Sequence, residues 1–186
     1  MLNDITLYQE KDSVSLKRIR SKDDLILAKG YLIDTDGDEK RTRQILDKLR
    51  KQKVIIAIQG HNNVFNRRVL ETMKVDYLIS PEKTLKKDNL KQRDSGINHV
   101  TAKIAQKNNI SLVFDLNEIK NLPPKERSIR LSRIIQNIKI CQKVKCQIKI
   151  VSLAKDKTQL INKKDRQIFL STLGATSSQV KNSTIF

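Results

Sequence analysis

The residues best suited to chemistry lie in one run, Arg93-Asp94-Ser95-Gly96-Ile97-Asn98-His99-Val100-Thr101-Ala102-Lys103-Ile104-Ala105. Ser95 or Asp94 can cap a helix starting just beyond, and Gly96 allows another group to approach its first turn closely. The unpaired amides of such a turn attract anions, phosphate above all. Arg93, just outside the cap, can fork onto a phosphate oxygen. On an ideal helix Asn98, Thr101 and Ala102 are neighbours, and His99 shares a face with Lys103. The same residues also describe an ordinary capped helix carrying one satisfied histidine.

Catalytic templates are not met elsewhere. There is no G-x-G-x-x-G, P-loop, H-E-x-x-H or G-x-S-x-G. His61 and His99 are the only histidines, too few for the multi-histidine metal sites of barrel phosphoesterases. Asp34, Asp76 and Asp115 fall near strand ends and could hold Mg2+, although such aspartates more often serve turns or caps. A metal-dependent phosphoesterase is therefore the rival reading. Cys141 and Cys146, spaced C-x4-C without a second pair, are expected to be buried free thiols.

Charge points to a polyanion. The 186 residues suit one domain, and 38 Lys and Arg against 20 Asp and Glu leave a net charge of +18. Residues 40–53 hold Lys40, Arg41, Arg43, Lys48, Arg50, Lys51 and Lys53 against Asp47 alone. Residues 125–149 hold eight cations against Glu126. With no Trp, three Tyr and four Phe, an aromatic platform for stacked bases is poorly supplied. Contact with RNA should therefore run through backbone phosphates. No secretory leader and no membrane-length apolar run is visible, so a soluble cytoplasmic chain is expected.

The elements that must position these groups alternate. Strands are predicted at Ile26–Ile33, Val54–Gln59, Asp76–Ser80, Ser111–Leu116 and Gln147–Leu153, with one more possible from Gln179 to Ile185. Helices are predicted at Thr42–Lys51, Asn66–Met73, Ile97–Asn108, Lys125–Val144 and Lys163–Leu173, the last ended by Gly174. Alternation implies βα units with parallel pairing. Five or six strands are too few for an eight-fold barrel, so the pattern alone favours a doubly wound open sheet.

The run from Arg93 to Ala105 closely resembles the signature of archaeal ribonuclease P protein component 3, the thirty-kilodalton ribonuclease P subunit family. Supporting similarity lies in Val75-Asp76-Tyr77-Leu78-Ile79-Ser80-Pro81-Glu82, in Ser111-Leu112-Val113-Phe114-Asp115-Leu116, in Arg127, Arg130, Arg133 and Asn137, and in Val151-Ser152-Leu153-Ala154-Lys155. It covers roughly residues 30–174 of a single domain spanning 1–186. The resemblance implies an α/β fold like a triosephosphate isomerase barrel, related to polymerase-and-histidinol-phosphatase hydrolases. No Asp-x-His strand is recognisable at the start, so the barrel is expected to be shortened or incomplete there.

The resemblance further implies a non-catalytic subunit that binds ribonuclease P RNA and protein component 2 as a heterotetramer, and precursor tRNA indirectly. It implies no cofactor on the protein, with Mg2+ used by the RNA. Its implied RNA contacts are Arg93, Ser95, Asn98, His99 and Lys103, joined by Arg68, Arg130, Arg133 and Lys155.

Overall fold

The computed structural model describes residues 4–84, 88 and 93–184. The chain begins with three short strands, β1 (Asp4–Thr6), β2 (Ser13–Ser15) and β3 (Lys17–Ile19). Regular alternation then sets in with β4 (Gly30–Ile33), α1 (Glu39–Leu49), β5 (Ile55–Gln59), α2 (Asn63–Thr72) and β6 (Tyr77–Ile79). It continues through α3 (His99–Lys107), β7 (Ser111–Asp115), α4 (Leu116–Lys120), α5 (Pro124–Val144) and β8 (Ile148–Val151), and ends with α6 (Lys163–Thr172) and α7 (Ser177–Asn182).

Strands β3 to β8 pair in parallel, in chain order. A doubly wound sheet reverses its strand order at a switch point. No reversal occurs here, so the crossover helices all lie on one face and the open-sheet expectation is corrected to a barrel wall. The wall also continues past β3. Only Leu16 separates β2 from β3, β2 pairs in parallel with β1, and Leu16 N donates to Thr6 O at 2.9 Å. β1 then reaches the end of β8, where Leu7 N donates to Ala154 O at 2.7 Å.

Side chains sort accordingly into two cores. Ile5, Val14, Leu16, Leu32, Ala57, Ile79, Val113, Val151 and Leu153 form one cluster, drawn from strands on every side of the ring. Such an inward layer fills the inside of a small barrel. Strand residues of opposite parity, such as Ile33, Ile58, Leu78, Leu112 and Ile150, pack outward against Ile45, Val69, Ala102, Ile138 and Leu170 of the helices.

At the start of the chain, where the barrel is expected to be shortened or incomplete, the three-residue β1 is present and forms a ladder with β2 alone among the described residues. Ile5 faces the barrel interior, so Asp4 and Thr6 face away from it. The possible strand at Gln179–Ile185 is corrected to helix α7, capped by Thr176 and Gln179, with Ile185 outside the described residues. On α3 Val100 is 58% exposed, and Thr101, Ala102 and Ala105 face the core. Both cysteines are buried free thiols. No helix among the described residues is long and apolar enough to cross a membrane.

Candidate nucleic-acid interface

The connection from β6 to α3 carries the signature, and it is held from two sides. From α2, Asn66 Nδ2 donates to Pro81 O at 3.0 Å and to Gly96 O at 3.1 Å, while Asn66 Oδ1 accepts from His61 N. From α5, Asn137 Nδ2 donates to Ser95 O at 2.9 Å, and Gln136 Nε2 donates to Ser95 Oγ at 2.9 Å. Gly96 has φ +80°, and a Cβ there would lie 1.7 Å from Pro81 O. Only glycine lets the two ends of the connection cross this closely.

The helix cap differs from the sequence expectation. Asn98, rather than Ser95 or Asp94, caps α3: its Oδ1 accepts from Thr101 N at 2.9 Å, and Thr101 Oγ1 accepts from Asn98 N at 2.9 Å. This reciprocal box places the cap oxygen on one of the first-turn amides that a phosphate would otherwise use. Ser95 is 1% exposed and belongs to the packing of the connection.

Arg93, Asn98, His99 and Lys103 are exposed around the start of α3. Arg68 is exposed on α2, the helix beside α3, while Lys155 is exposed beyond β8, two strands further along the wall. Arg130 and Arg133 are turned inward, at 8% and 4% exposure. Arg130 contacts Glu82 at 3.3 Å and Glu118 at 3.1 Å. Arg133 contacts Asp88 at 2.8 Å and donates to the carbonyls of Glu82 and Thr84 at 3.2 and 3.0 Å. Expected as RNA-facing cations, both instead fasten the signature connection to α5. Sequence reasoning missed Asn66, Glu82 and Gln136, whose partners lie far along the chain.

The C-terminal mouth of the wall is where a barrel enzyme would carry catalytic groups. Burial pushes the Glu82 carboxyl up to about 7 despite Arg130, and burial likewise pushes Asp115 up to about 7. Burial also acts to raise Glu118, but Arg130 and Lys83 outweigh it and hold that carboxyl below its ordinary value. The three candidate Mg2+ carboxylates do not converge. Asp34 lies 3.8 Å from Arg18, and Asp115 caps α4 through Asn117 N and Glu118 N. Asp76 lies at the opposite end of the wall, accepting from Ile56 N at 2.8 Å. No three His, Cys, Asp or Glu among the described residues gather to hold a metal.

The family model for RNase P subunit p30 matches residues 6–184. Ribonuclease P protein component 3 of Methanocaldococcus jannaschii is 30% identical over 177 residues, covering 92% of this chain and 73% of that protein. Its counterpart in Methanothermobacter thermautotrophicus is 27% identical over 174 residues, covering 94% and 68%. Among solved structures, a chain in the cryo-EM structure of archaeal ribonuclease P with mature tRNA superposes with a TM-score of 0.75 at 26% identity, covering 96% of this chain and 85% of that one. A crystal structure of an amidohydrolase shares the fold at a TM-score of 0.59 and 13% identity, covering 84% and 40%. A match along nearly the whole chain places this protein in the RNase P subunit p30 family.

Proposed function

We propose that this chain is a non-catalytic protein subunit of an archaeal-type ribonuclease P that acts in the cytoplasm. In this reading it binds the catalytic RNA together with protein component 2, as part of a heterotetramer, and supports removal of the leader from precursor tRNA. The observation that carries it is the likeness, in both sequence and fold and along 96% of this chain, to a chain in a structure of archaeal ribonuclease P. Chemistry supports it. A net charge of +18 gives fixed positive groups that replace condensed counterions on RNA, lowering the Mg2+ the RNA needs to fold and cleave. Arg93, His99 and Lys103 are the exposed cationic or titratable groups that the signature presents to phosphates. Cleavage of precursor tRNA by the reconstituted enzyme, with and without this chain at limiting Mg2+, tests the proposal. Stimulation is expected; equal rates with and without the chain would overturn it.

A further inference from the structure

A groove of about 890 Å³ opens at the N-terminal end of the wall, between the last turns of α1 and α2. Arg43 spans its upper end, bonding Glu39 and donating to Thr72 Oγ1 at 2.7 Å. Below that bridge lies an aliphatic floor of Leu46, Val54, Ile56, Met73 and Val75. Leu46, Val54 and Ile56 are only half-buried there, although they pack on the outer core.

The polar groups in the lining are mostly committed within the chain. Asn108 Nδ2 donates to Leu70 O at 2.7 Å, Asp76 accepts from Ile56 N at 2.8 Å, and Glu71 pairs with Arg67 at 2.6 Å. The groove therefore lacks the convergent polar groups that would orient a small ligand. What remains uncommitted is mainly cationic. Arg50 and Lys74 line the groove, and Lys51 and Lys53 are exposed in the α1–β5 turn. None of the four has a carboxylate within ion-pair distance among the described residues. Asp47 and Asp76 are the lining carboxylates with no cation within ion-pair distance among the described residues, so unpaired cations still outnumber unpaired carboxylates at the groove.

We infer that this groove docks an acidic amphipathic segment of a protein partner. Its apolar side chains enter the aliphatic floor, and its carboxylates meet Arg50, Lys74, Lys51 and Lys53. A partner helix laid in a groove uses this combination of apolar anchors and charged flanks. RNA is the weaker fit, because exposed aliphatic floor gives its phosphates and sugars nothing to bond. The groove lies at the opposite end of the wall from the start of α3, so a protein and an RNA can be held at once. The inference rests on the proposed role as a subunit working with another protein.

The test titrates the cognate protein component 2, and separately ribonuclease P RNA, onto the full chain and two variants. One variant is Arg50→Glu/Lys74→Glu, entirely at exposed positions; the other is Leu46→Asp. Loss of component 2 affinity by tenfold or more in both, with an unchanged melting temperature in the charge variant and unchanged RNA affinity, is the expected result. Equal component 2 affinity in wild type and charge variant would overturn the groove assignment alone. Loss of RNA affinity instead would assign the groove to RNA and overturn it as well. Failure of the wild type to bind component 2 would overturn the underlying subunit reading.

Discussion

Arg166 Nη1 lies 2.5 Å from Asp4 Oδ1, and this buried pair stands where a strand would otherwise pair with β8. The seam edge of β8 is satisfied by groups from several places. Ile150 N donates to Ser183 O, Ile150 O accepts from Arg166, and Ser152 N donates to Asp4 Oδ1 at 2.9 Å. Buried backbone groups need such partners, and β1 is too short to provide them by a ladder alone. Breaking one member of a buried pair strands the other charge, at about 3–5 kcal/mol. Arg166→Met and Asp4→Asn should each lower stability by that order in urea unfolding. The double variant should lose less than the sum, and additive losses would show that the two residues are not coupled.

Gly96 should tolerate no side chain. Its φ of +80° and the approach of Pro81 O act together, so relief of one leaves the other. Gly96→Ala is expected to cost at least about 3 kcal/mol and to expose the β6–α3 connection to limited proteolysis. Stability and protease resistance like those of wild type would refute the crossing geometry as the reason for this glycine.

How far the sequence discloses this molecule depends on who a residue's partners are. Strands β5 to β8 are readable because a parallel wall under helices demands continuous apolar runs, as in Val54–Ile58. β1 to β3 are three residues each, with Asp4, Lys17 and Arg18 among them, and carry no such run. Helix α7 had a local signal, the Thr176–Gln179 box, which its apolar residues outweighed. The signature run forms a connection tied to α2 and α5, but exposure within it was not legible. Arg130 and Arg133 look like surface cations on a helix until Glu82, Asp88 and Glu118 are brought to them by the fold.

Stability should fall as pH rises through the range in which Glu82 and Asp115 ionise. Burial raises both carboxyls to about 7 in the folded chain, from 4.5 and 3.8. Between those limits the folded state holds more protons than the unfolded state, so ionisation favours unfolding. Glu82 contributes at most about 3 kcal/mol to the decline and Asp115 at most about 4 kcal/mol, and the decline levels off about one unit above pH 7. Glu82 Oε2 has no hydrogen-bond partner among the described residues, in keeping with a carboxyl that keeps its proton. Asp115→Asn preserves an acceptor for the α4 cap and should flatten the slope of urea midpoints between pH 4 and 7. An unaltered slope in both Asp115→Asn and Glu82→Gln would count against this assignment.

Lys103 and Arg133 should separate contact from support. Both are cations attached to the signature region, but Lys103 is exposed on α3 and Arg133 is 4% exposed beneath the connection. Lys103→Ala should leave stability within about 0.5 kcal/mol, because an exposed helical lysine has little to lose. If Lys103 meets an RNA phosphate, the same change weakens stimulation of precursor tRNA cleavage at limiting Mg2+ and lowers the salt-dependence slope by about 1. Arg133→Ala should instead lower the melting temperature, since Asp88 and two carbonyls lose their donor. Any loss of activity in that variant should recover when RNA binding is measured well below its new melting point. A Lys103→Ala chain with full stimulation and an unchanged salt slope would move the RNA contact away from the start of α3. The signature would then be a device for building the connection rather than for touching RNA.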